Sequence, residues 1–459
     1  MNLFDTRDRR PVHLMGIAGA GMSGLAELLV RRGVVVTGCD AAADGADDLR
    51  RAGIAVVAGH DPSHVEGARA LVVTSAVPQD HPELARARAL GLAVVRRAEA
   101  LGAAVNATTL VAVAGTHGKT TTTAMTTEAL AAAGRNPTGL AGGRVATWRG
   151  NLRPGGTDLS VVEADEYDRS FHALVPTVAV VTNVEADHLD VYRDLADIRG
   201  AFEQFVAPAR TVVLCADDPG ASALTVSSGA EVIRYGLTSN DARLVGDELM
   251  VVDGLLRFVV RYDGEELGAL TLRVPGMHNV RNALAAVGAG LALGATLDAM
   301  RPGLEGFEGV ERRFQRLGTV RGIDVVDDYA HHPTEIVATL DAARSAFAGR
   351  RIIAAFQPHL FSRTRDFAPA FAAALIRADQ VFLTEIYPAR ERPIPGVTSE
   401  LIANALAAAG RPVAWRGERA ELAAALADAV REGDVVITLG AGDITRAGPE
   451  LLQRLVAVA

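Results

Sequence analysis

The stretch 114-AGTHGKTTTTAM-125 holds the one lysine of the chain: of 46 Lys and Arg residues, every one except Lys119 is an arginine. A guanidinium grips anions as a flat fork, whereas an ammonium is a compact charge with rotatable donors that fits inside a tight backbone loop. A lysine kept at this position alone marks a site that needs an ammonium. The β-branched run 110-LVAVA-114 reads as a buried strand, Gly115 and Gly118 bound a turn, and a helix begins near Gly118. Gly115, Thr116, His117, Gly118, Lys119, Thr120 and Thr121 then surround a nucleoside triphosphate. Backbone N–H groups and the helix N-terminus face the anion, Lys119 reaches the β- and γ-phosphates, and the Thr120 hydroxyl binds Mg²⁺. The pattern G-x-x-x-x-G-K-T asks for glycine at 113, where this chain has Val113.

Acids gather at the ends of two further apolar runs. In 161-VVEADEYDRSF-171 a strand ends at Glu163, and 177-TVAVVTN-183 runs into 183-NVEADHLD-190. Parallel α/β sheets place their sites at the carboxyl ends of strands. Glu163 and His188 are therefore expected to join Thr120 as metal ligands, with Asp165, Asp187 and Asp190 as supporting loop groups. The segment 12-VHLMGIAGAGMSGLAELLVRRG-33 carries Gly19-Ala20-Gly21-Met22-Ser23-Gly24 after a strand, with Asp40 after the next one. That fingerprint says that a diphosphate rests on a helix N-terminus. A nicotinamide dinucleotide and a UDP-sugar both satisfy it, so hydride chemistry does not follow.

Farther along, 275-PGMHNVRNALAA-286 packs His278, Asn279 and Asn282 at a helix start, more than a cap requires, and asparagine amides suit an adenine edge. In 327-DDYAHHPTEI-336, Pro333 fits the first helical position and puts His332 at the cap. Arg363 in 357-QPHLFSRTRDF-367 follows another strand, a place for an anion contact.

These residues must be positioned by several alternating strands and helices. At 459 residues the chain is too long for one core and suggests about three α/β domains, 1–104, 105–312 and 313–459. In the last, 322-GIDVV-326, 351-RIIAAF-356, 380-QVFLTE-385 and 434-DVVITLG-440 read as strands of a parallel sheet. Between about 242 and 274, turns such as Asp253-Gly254 and Asp263-Gly264 indicate hairpins inside the middle domain. Hydrophobic content of 49% with 22% charge is ordinary for a soluble globular protein. The start lacks a signal-peptide run and no stretch is long enough to span a bilayer, so a cytoplasmic protein without stable membrane association is expected. The net charge of −9 argues against nucleic acid. Cys39 and Cys215 are isolated, which suggests neither a disulfide framework nor a zinc cluster.

Taken in order, AGTHGKTTTT, EADE, TNVEADHLD, PGMHNVRNALAA, GVERRFQ, DDYAHHPTEI, FQPHLFSRT, IYPARERPIPGVTS and LGAGDI resemble the Mur ligases over nearly the whole chain. HHPTEI and PIPGVTS are more specific to the branch that adds L-alanine. The resemblance implies an N-terminal Rossmann-like UDP-binding domain, a central P-loop ATPase with a mostly parallel sheet plus hairpins, and a C-terminal Rossmann-like domain. It implies ATP and Mg²⁺ as cofactors, and UDP-N-acetylmuramate and L-alanine as substrates in peptidoglycan synthesis. Gly19, Ala20, Gly21, Met22, Ser23, Asp40 and Ser75 would meet the UDP-substrate. Lys119, Thr120, Glu163 and His188 would hold the phosphates and metal, His278, Asn279 and Asn282 the adenine, and Asp328 the ribose. Arg313, His331, His332 and Arg363 would line a closing face on which a histidine takes the amine proton. Later-acting branches use a carbamylated lysine outside the phosphate loop, and this chain has none to modify. A sibling that recycles muropeptides attaches a tripeptide to the same sugar acid and shares several motifs. A monomer or weak dimer is expected.

Overall fold

The computed structural model describes residues 5–43, 46–189, 191–252, 254–389 and 391–457; Asp190 and the Asp253 half of the expected turn lie outside the described residues. The chain gathers into two compact units: residues up to 250 with 257–272 and 280–308, and residues 251–256, 273–279 and 309–459. The first carries two sheets and the second carries one, a three-domain α/β architecture with one sheet to each domain. Among the described residues no helix is long and apolar enough to cross a membrane.

The first sheet is parallel: β1 (Val12–Met15), β2 (Val36–Asp40), β3 (Ala55–Ala58), β4 (Ala70–Val73) and β5 (Ala93–Arg96), in the order β3-β2-β1-β4-β5. Strand order reverses at β1, so its carboxyl end opens on a crevice where ligands bind in such sheets. Helices α1 (Ala20–Arg31), α2 (Asp47–Arg51), α3 (Pro82–Ala89) and α4 (Arg97–Val105) flank it. Met22, Leu25, Ala26 and Leu29 make one apolar stripe of α1, buried against Val12, Leu14 and Val36. A side chain at Gly24 would run into Leu140, so this glycine lets α1 close onto the second sheet.

That sheet comprises β6 (Thr109–Ala114), β7 (Thr138–Val145), β8 (Gly150–Arg153), β9 (Leu159–Glu163), β10 (Val178–Val181), β11 (Thr211–Cys215), β12 (Glu231–Gly236), β13 (Leu244–Val252), β14 (Leu255–Tyr262) and β15 (Glu265–Leu272). The order is β15-β14-β13-β12-β11-β10-β6-β9-β7-β8. Strand β6 lies between β10 and β9 in parallel register, with Val113 opposite both Val180 and Glu163. The carboxyl ends of three neighbouring strands therefore converge on the lysine loop. Helices α5 (Lys119–Ala132), α6 (Leu195–Val206), α7 (Pro219–Ser222), α8 (Met277–Ala292) and α9 (Leu297–Glu305) accompany these strands in the chain. At the expected hairpin turn Asp263 and Gly264 both have positive φ (50° and 84°), as a tight two-residue hairpin demands.

The third sheet holds β16 (Gln315–Val320), β17 (Ile323–Asp328), β18 (Ile352–Phe356), β19 (Gln380–Thr384), β20 (Trp415–Gly417) and β21 (Val435–Leu439), ordered β16-β17-β21-β18-β19-β20. All pairs are parallel except β16 on β17. Helices α10 (Pro333–Ala346), α11 (Phe361–Leu375), α12 (Glu400–Ala408), α13 (Arg419–Ala429) and α14 (Ala447–Ala457) complete the unit, with one apolar cluster formed around α10–α12 and another around α13 and α14. The sequence reading omitted β16 and β20: β16 is half-exposed with little alternation, and β20 has three residues.

Candidate active site

Strand β6 delivers the chain to Gly115, whose φ of 141° favours glycine and where a Cβ would collide with the Thr182 hydroxyl. Gly118, with φ 81°, caps α5, and a Cβ there would crowd Asn282 Oδ1 at 2.8 Å. Val113 is a fully buried strand residue, so the loop begins two positions later than the usual pattern asks, with Gly115 as its first glycine. The loop is stapled to the end of β10. Thr116 N–H donates to the Asn183 carbonyl (3.1 Å), His117 N–H to Asn183 Oδ1 (2.7 Å), and Thr182 Oγ1 to the His117 carbonyl (2.6 Å). The N–H groups of Thr116 and His117 are thus bonded to Asn183, whereas those of Lys119, Thr120 and Thr121 open the first turn of α5, where N–H groups have no partner within the helix.

Lys119 Nζ donates to the carbonyls of Gly115 (2.6 Å) and Thr116 (3.2 Å) and to Glu166 Oε1 (2.9 Å). Burial alone would pull its ammonium down, but Glu166, Asp165 and Glu163 outweigh burial and hold it above its usual value. Glu166 is the residue that sequence reasoning missed. It was one acid among four, and only the fold shows that it turns inward to 3% exposure. Burial would raise its carboxyl, but Lys119 and His188 outweigh that and hold it down. His188 Nε2 stands 3.5 Å from Glu166 Oε1, and Glu166 with Asp187 lifts the imidazole above its ordinary value against the effect of burial.

Glu163, at the end of β9, accepts the Gly142 N–H at 2.5 Å. Burial raises its carboxyl, opposed by Lys119, by the Gly142 N–H and by a hydrogen bond from the Thr120 side chain. A side chain at Gly142 would overlap the Glu163 carboxylate, so this glycine is required for the approach. A hydroxyl and a half-buried carboxylate make a hard oxygen donor pair, which fits Mg²⁺.

A cavity of about 770 Å³ runs from the first glycine turn to Glu163. Gly19, Ala20, Gly21, Met22, Asp40 and Ser75 line it. The Ser23 hydroxyl donates to the Ala20 carbonyl (3.0 Å) and is outside the wall. The Met22 side chain is buried in the core. Asp40 accepts the N–H groups of Ala18 and Ala42, both at 2.9 Å, so it holds the turn itself. Two unforeseen wall residues, Arg96 and Arg97, stand 3.7 Å from Asp168 and 3.6 Å from Asp165. Adjacent arginines at the end of a strand were the available signal.

Asn282 Oδ1 accepts the Thr122 hydroxyl at 3.1 Å and abuts Gly118, so it braces the phosphate loop.

In the second unit, the Asn279 amide donates to the Pro275 carbonyl at 2.7 Å, next to His278, and closes its own helix start. Arg313 Nη1 donates to Glu335 at 3.2 Å. Asp328 accepts the N–H groups of Phe314 and Ala330, both at 2.8 Å, and burial pushes its carboxyl up to about 6. His332 is the N-cap of α10 with Pro333 behind it, as read from the sequence. Its Nδ1 accepts the Thr334 N–H at 3.4 Å. Arg363 is buried in the first turn of α11.

Three family descriptions match the chain consecutively: "Mur ligase family, catalytic domain" over residues 11–109, "Mur ligase middle domain" over 113–290, and "Mur ligase, glutamate ligase domain" over 312–442. The UDP-N-acetylmuramate–L-alanine ligase of Salinibacter ruber is 45% identical over 97% of this chain and 95% of its own. The crystal structure of UDP-N-acetylmuramate-alanine ligase from Thermotoga maritima superposes with a TM-score of 0.83 at 30% identity, covering 98% of this chain and 100% of that one. A murein peptide ligase from Psychrobacter arcticus gives a TM-score of 0.71 at 26% identity, covering 97% and 98%.

Proposed function

The chain belongs to the Mur ligase family, and we propose that it joins L-alanine to the lactyl carboxylate of UDP-N-acetylmuramate, consuming ATP, in peptidoglycan precursor synthesis. The observation that carries this reading is the single cavity whose wall begins at the α1 N-terminus and ends at Glu163 beside Thr120 and the lysine loop. A diphosphate seated on the glycine turn between Arg96 and Arg97 extends its sugar acid toward the triphosphate side. The family descriptions meet near the boundaries read from the sequence, at about 104 and 312, which supports the division into UDP-binding, ATP-binding and C-terminal ligase domains.

A carboxylate is a poor electrophile and is repelled by a triphosphate, so the residues must neutralise charge and align the groups. Lys119 and the first N–H groups of α5 would hold the β- and γ-phosphates, and Thr120, Glu163 and His188 would hold Mg²⁺. Bound Mg²⁺ supplies positive charge to the phosphate oxygens. Positioned in line, the lactyl carboxylate attacks the γ-phosphorus and ADP leaves. The neutral amine of L-alanine then attacks the acyl carbon, and inorganic phosphate leaves with the amide formed. On binding ATP, Lys119 exchanges Glu166 for phosphate.

The test is phosphate release from ATP with UDP-N-acetylmuramate, offering L-alanine or L-Ala-γ-D-Glu-meso-diaminopimelate as the amine. Turnover with L-alanine is expected. Turnover with the tripeptide alone would move the chain to the recycling activity, and turnover with neither would sink the proposal.

A further inference from the structure

Cys39 is isolated in the sequence and no metal cluster was expected there, but the first sheet surrounds it with ligand atoms. Its Sγ lies 3.4 Å from His60 Nδ1 and 3.3 Å from Glu83 Oε2, and those two atoms lie 3.5 Å from each other. A tetrahedral Zn²⁺, with bonds of about 2.3 Å to sulfur and 2.0–2.2 Å to nitrogen and oxygen, spaces its ligand atoms about 3.3–3.6 Å apart. The three atoms thus form one face of such a tetrahedron. We propose that Cys39, His60 and Glu83 bind a borderline-soft divalent cation of the Zn²⁺ type, separate from the oxygen pair Thr120 and Glu163.

The surroundings fix the ligands. Glu83 Oε1 is held by the Asp61 N–H (2.8 Å) and His64 Nδ1 (2.9 Å), which turns Oε2 toward Cys39 and His60. His13 Nε2 lies 3.4 Å from the sulfur, placed to donate to a thiolate, with its Nδ1 on Thr37 Oγ1 at 2.9 Å. Partners of this kind orient first-sphere ligands in metal sites. The His60 side chain keeps 29% exposure, so the fourth position opens to water on its side. Thiolate, imidazole and carboxylate together select zinc-like ions over Mg²⁺. On binding, the Cys39 thiol loses its proton to solvent and its sulfur becomes a ligand. The ion links β2, the loop after β3 and α3. Asp40, next to Cys39, holds the glycine turn through the Ala18 N–H, so loading would stiffen that wall of the cavity.

The experiment titrates the chelator-stripped full chain with Co²⁺ alone. One equivalent should bring visible d–d absorption and a near-ultraviolet thiolate-to-cobalt band, bleached by Zn²⁺ but not by excess Mg²⁺. Cys39→Ser should abolish the charge-transfer band, and His60→Asn and Glu83→Gln should weaken binding at least tenfold, while Glu163→Gln leaves the spectrum unchanged. Because Cys39 is buried, His60→Asn at the exposed edge guards against a folding artefact. No thiolate band in the unaltered chain, or a band that survives Cys39→Ser in a folded variant, would overturn the proposal and leave the cluster a hydrogen-bond network around Glu83.

Discussion

Lys119 Nζ lies 2.8 Å from Glu166 Oε2, and this ion pair occupies the place where the proposed function seats a nucleotide's phosphates. A buried cation left without a partner is costly, so the glutamate keeps the nucleotide-free loop folded around its ammonium. It also competes with the phosphate. The same carboxylate faces His188, which couples the phosphate loop to the end of β10.

Replacing Lys119 with arginine tests whether charge alone suffices. The ammonium fits between two loop carbonyls and Glu166, and a planar guanidinium cannot reproduce those three short bonds. Phosphate release by Lys119→Arg should fall about a hundredfold or more, as for loss of a donor aimed at transition-state charge. Activity near that of the unaltered chain would make the lone lysine an accident of composition.

Glu166→Gln removes the partner and keeps the shape. The nucleotide-free variant should lose roughly 3 kcal/mol, the cost of breaking a buried pair. ADP or a non-hydrolysable ATP analogue should recover most of it, so the nucleotide-induced rise in Tm should exceed that of the parent. Equal rises in both proteins would mean that Glu166 and phosphate do not exchange.

Much of this arrangement was legible in the sequence. Periodicity gave the strand, glycine and helix around Lys119, the acid at the end of β9, the parallel C-terminal sheet and the cap at His332. What stayed hidden depends on tertiary contact. Nothing local shows which of the four acids in 163-EADEYD-168 turns inward, since that follows from where β10 brings His188. The commitments of Asp40 to Ala18, of Asn282 to Thr122 and of the His117 N–H to Asn183 join residues far apart in the chain. The ligand face at Cys39 likewise draws on β2, a loop and α3, with no motif spacing to announce it.

Asp328 gives a pH dependence with a definite sign. Burial raises its folded value to about 6 from an ordinary 3.8, so the folded state prefers the protonated form. Its stability contribution is therefore full below the ordinary value and is lost as pH rises through about 6. The loss is on the order of 3 kcal/mol for a shift of this size. Urea unfolding of the parent and of Asp328→Asn from pH 4 to 7 should show the parent losing ground to the variant as pH rises. A difference constant over that range would show that the carboxyl titrates normally.

Glu163→Gln should separate stability from activity. The folded state raises this carboxyl through burial, so the ionised form costs stability as pH rises past the ordinary glutamate value, and a neutral amide avoids that cost. The variant should therefore unfold above the parent at pH 7 without metal. It should nevertheless lose nearly all phosphate release. A Tm below that of the parent would show that the charge was already compensated by Lys119.

Gly142→Ala disturbs the same carboxylate without touching its charge. The new methyl falls on the Glu163 oxygens, and the Gly142 N–H that orients them at 2.5 Å must move with the backbone. Loss of an orienting contact to a metal ligand typically costs about 10–100-fold in metal affinity. The Mg²⁺ concentration giving half-maximal phosphate release should therefore rise at least tenfold. The KM for UDP-N-acetylmuramate should change less, because the diphosphate end of the cavity lies at the α1 turn. A variant that loses sugar-nucleotide affinity while keeping its Mg²⁺ dependence would detach Glu163 from the metal and assign it to the substrate wall.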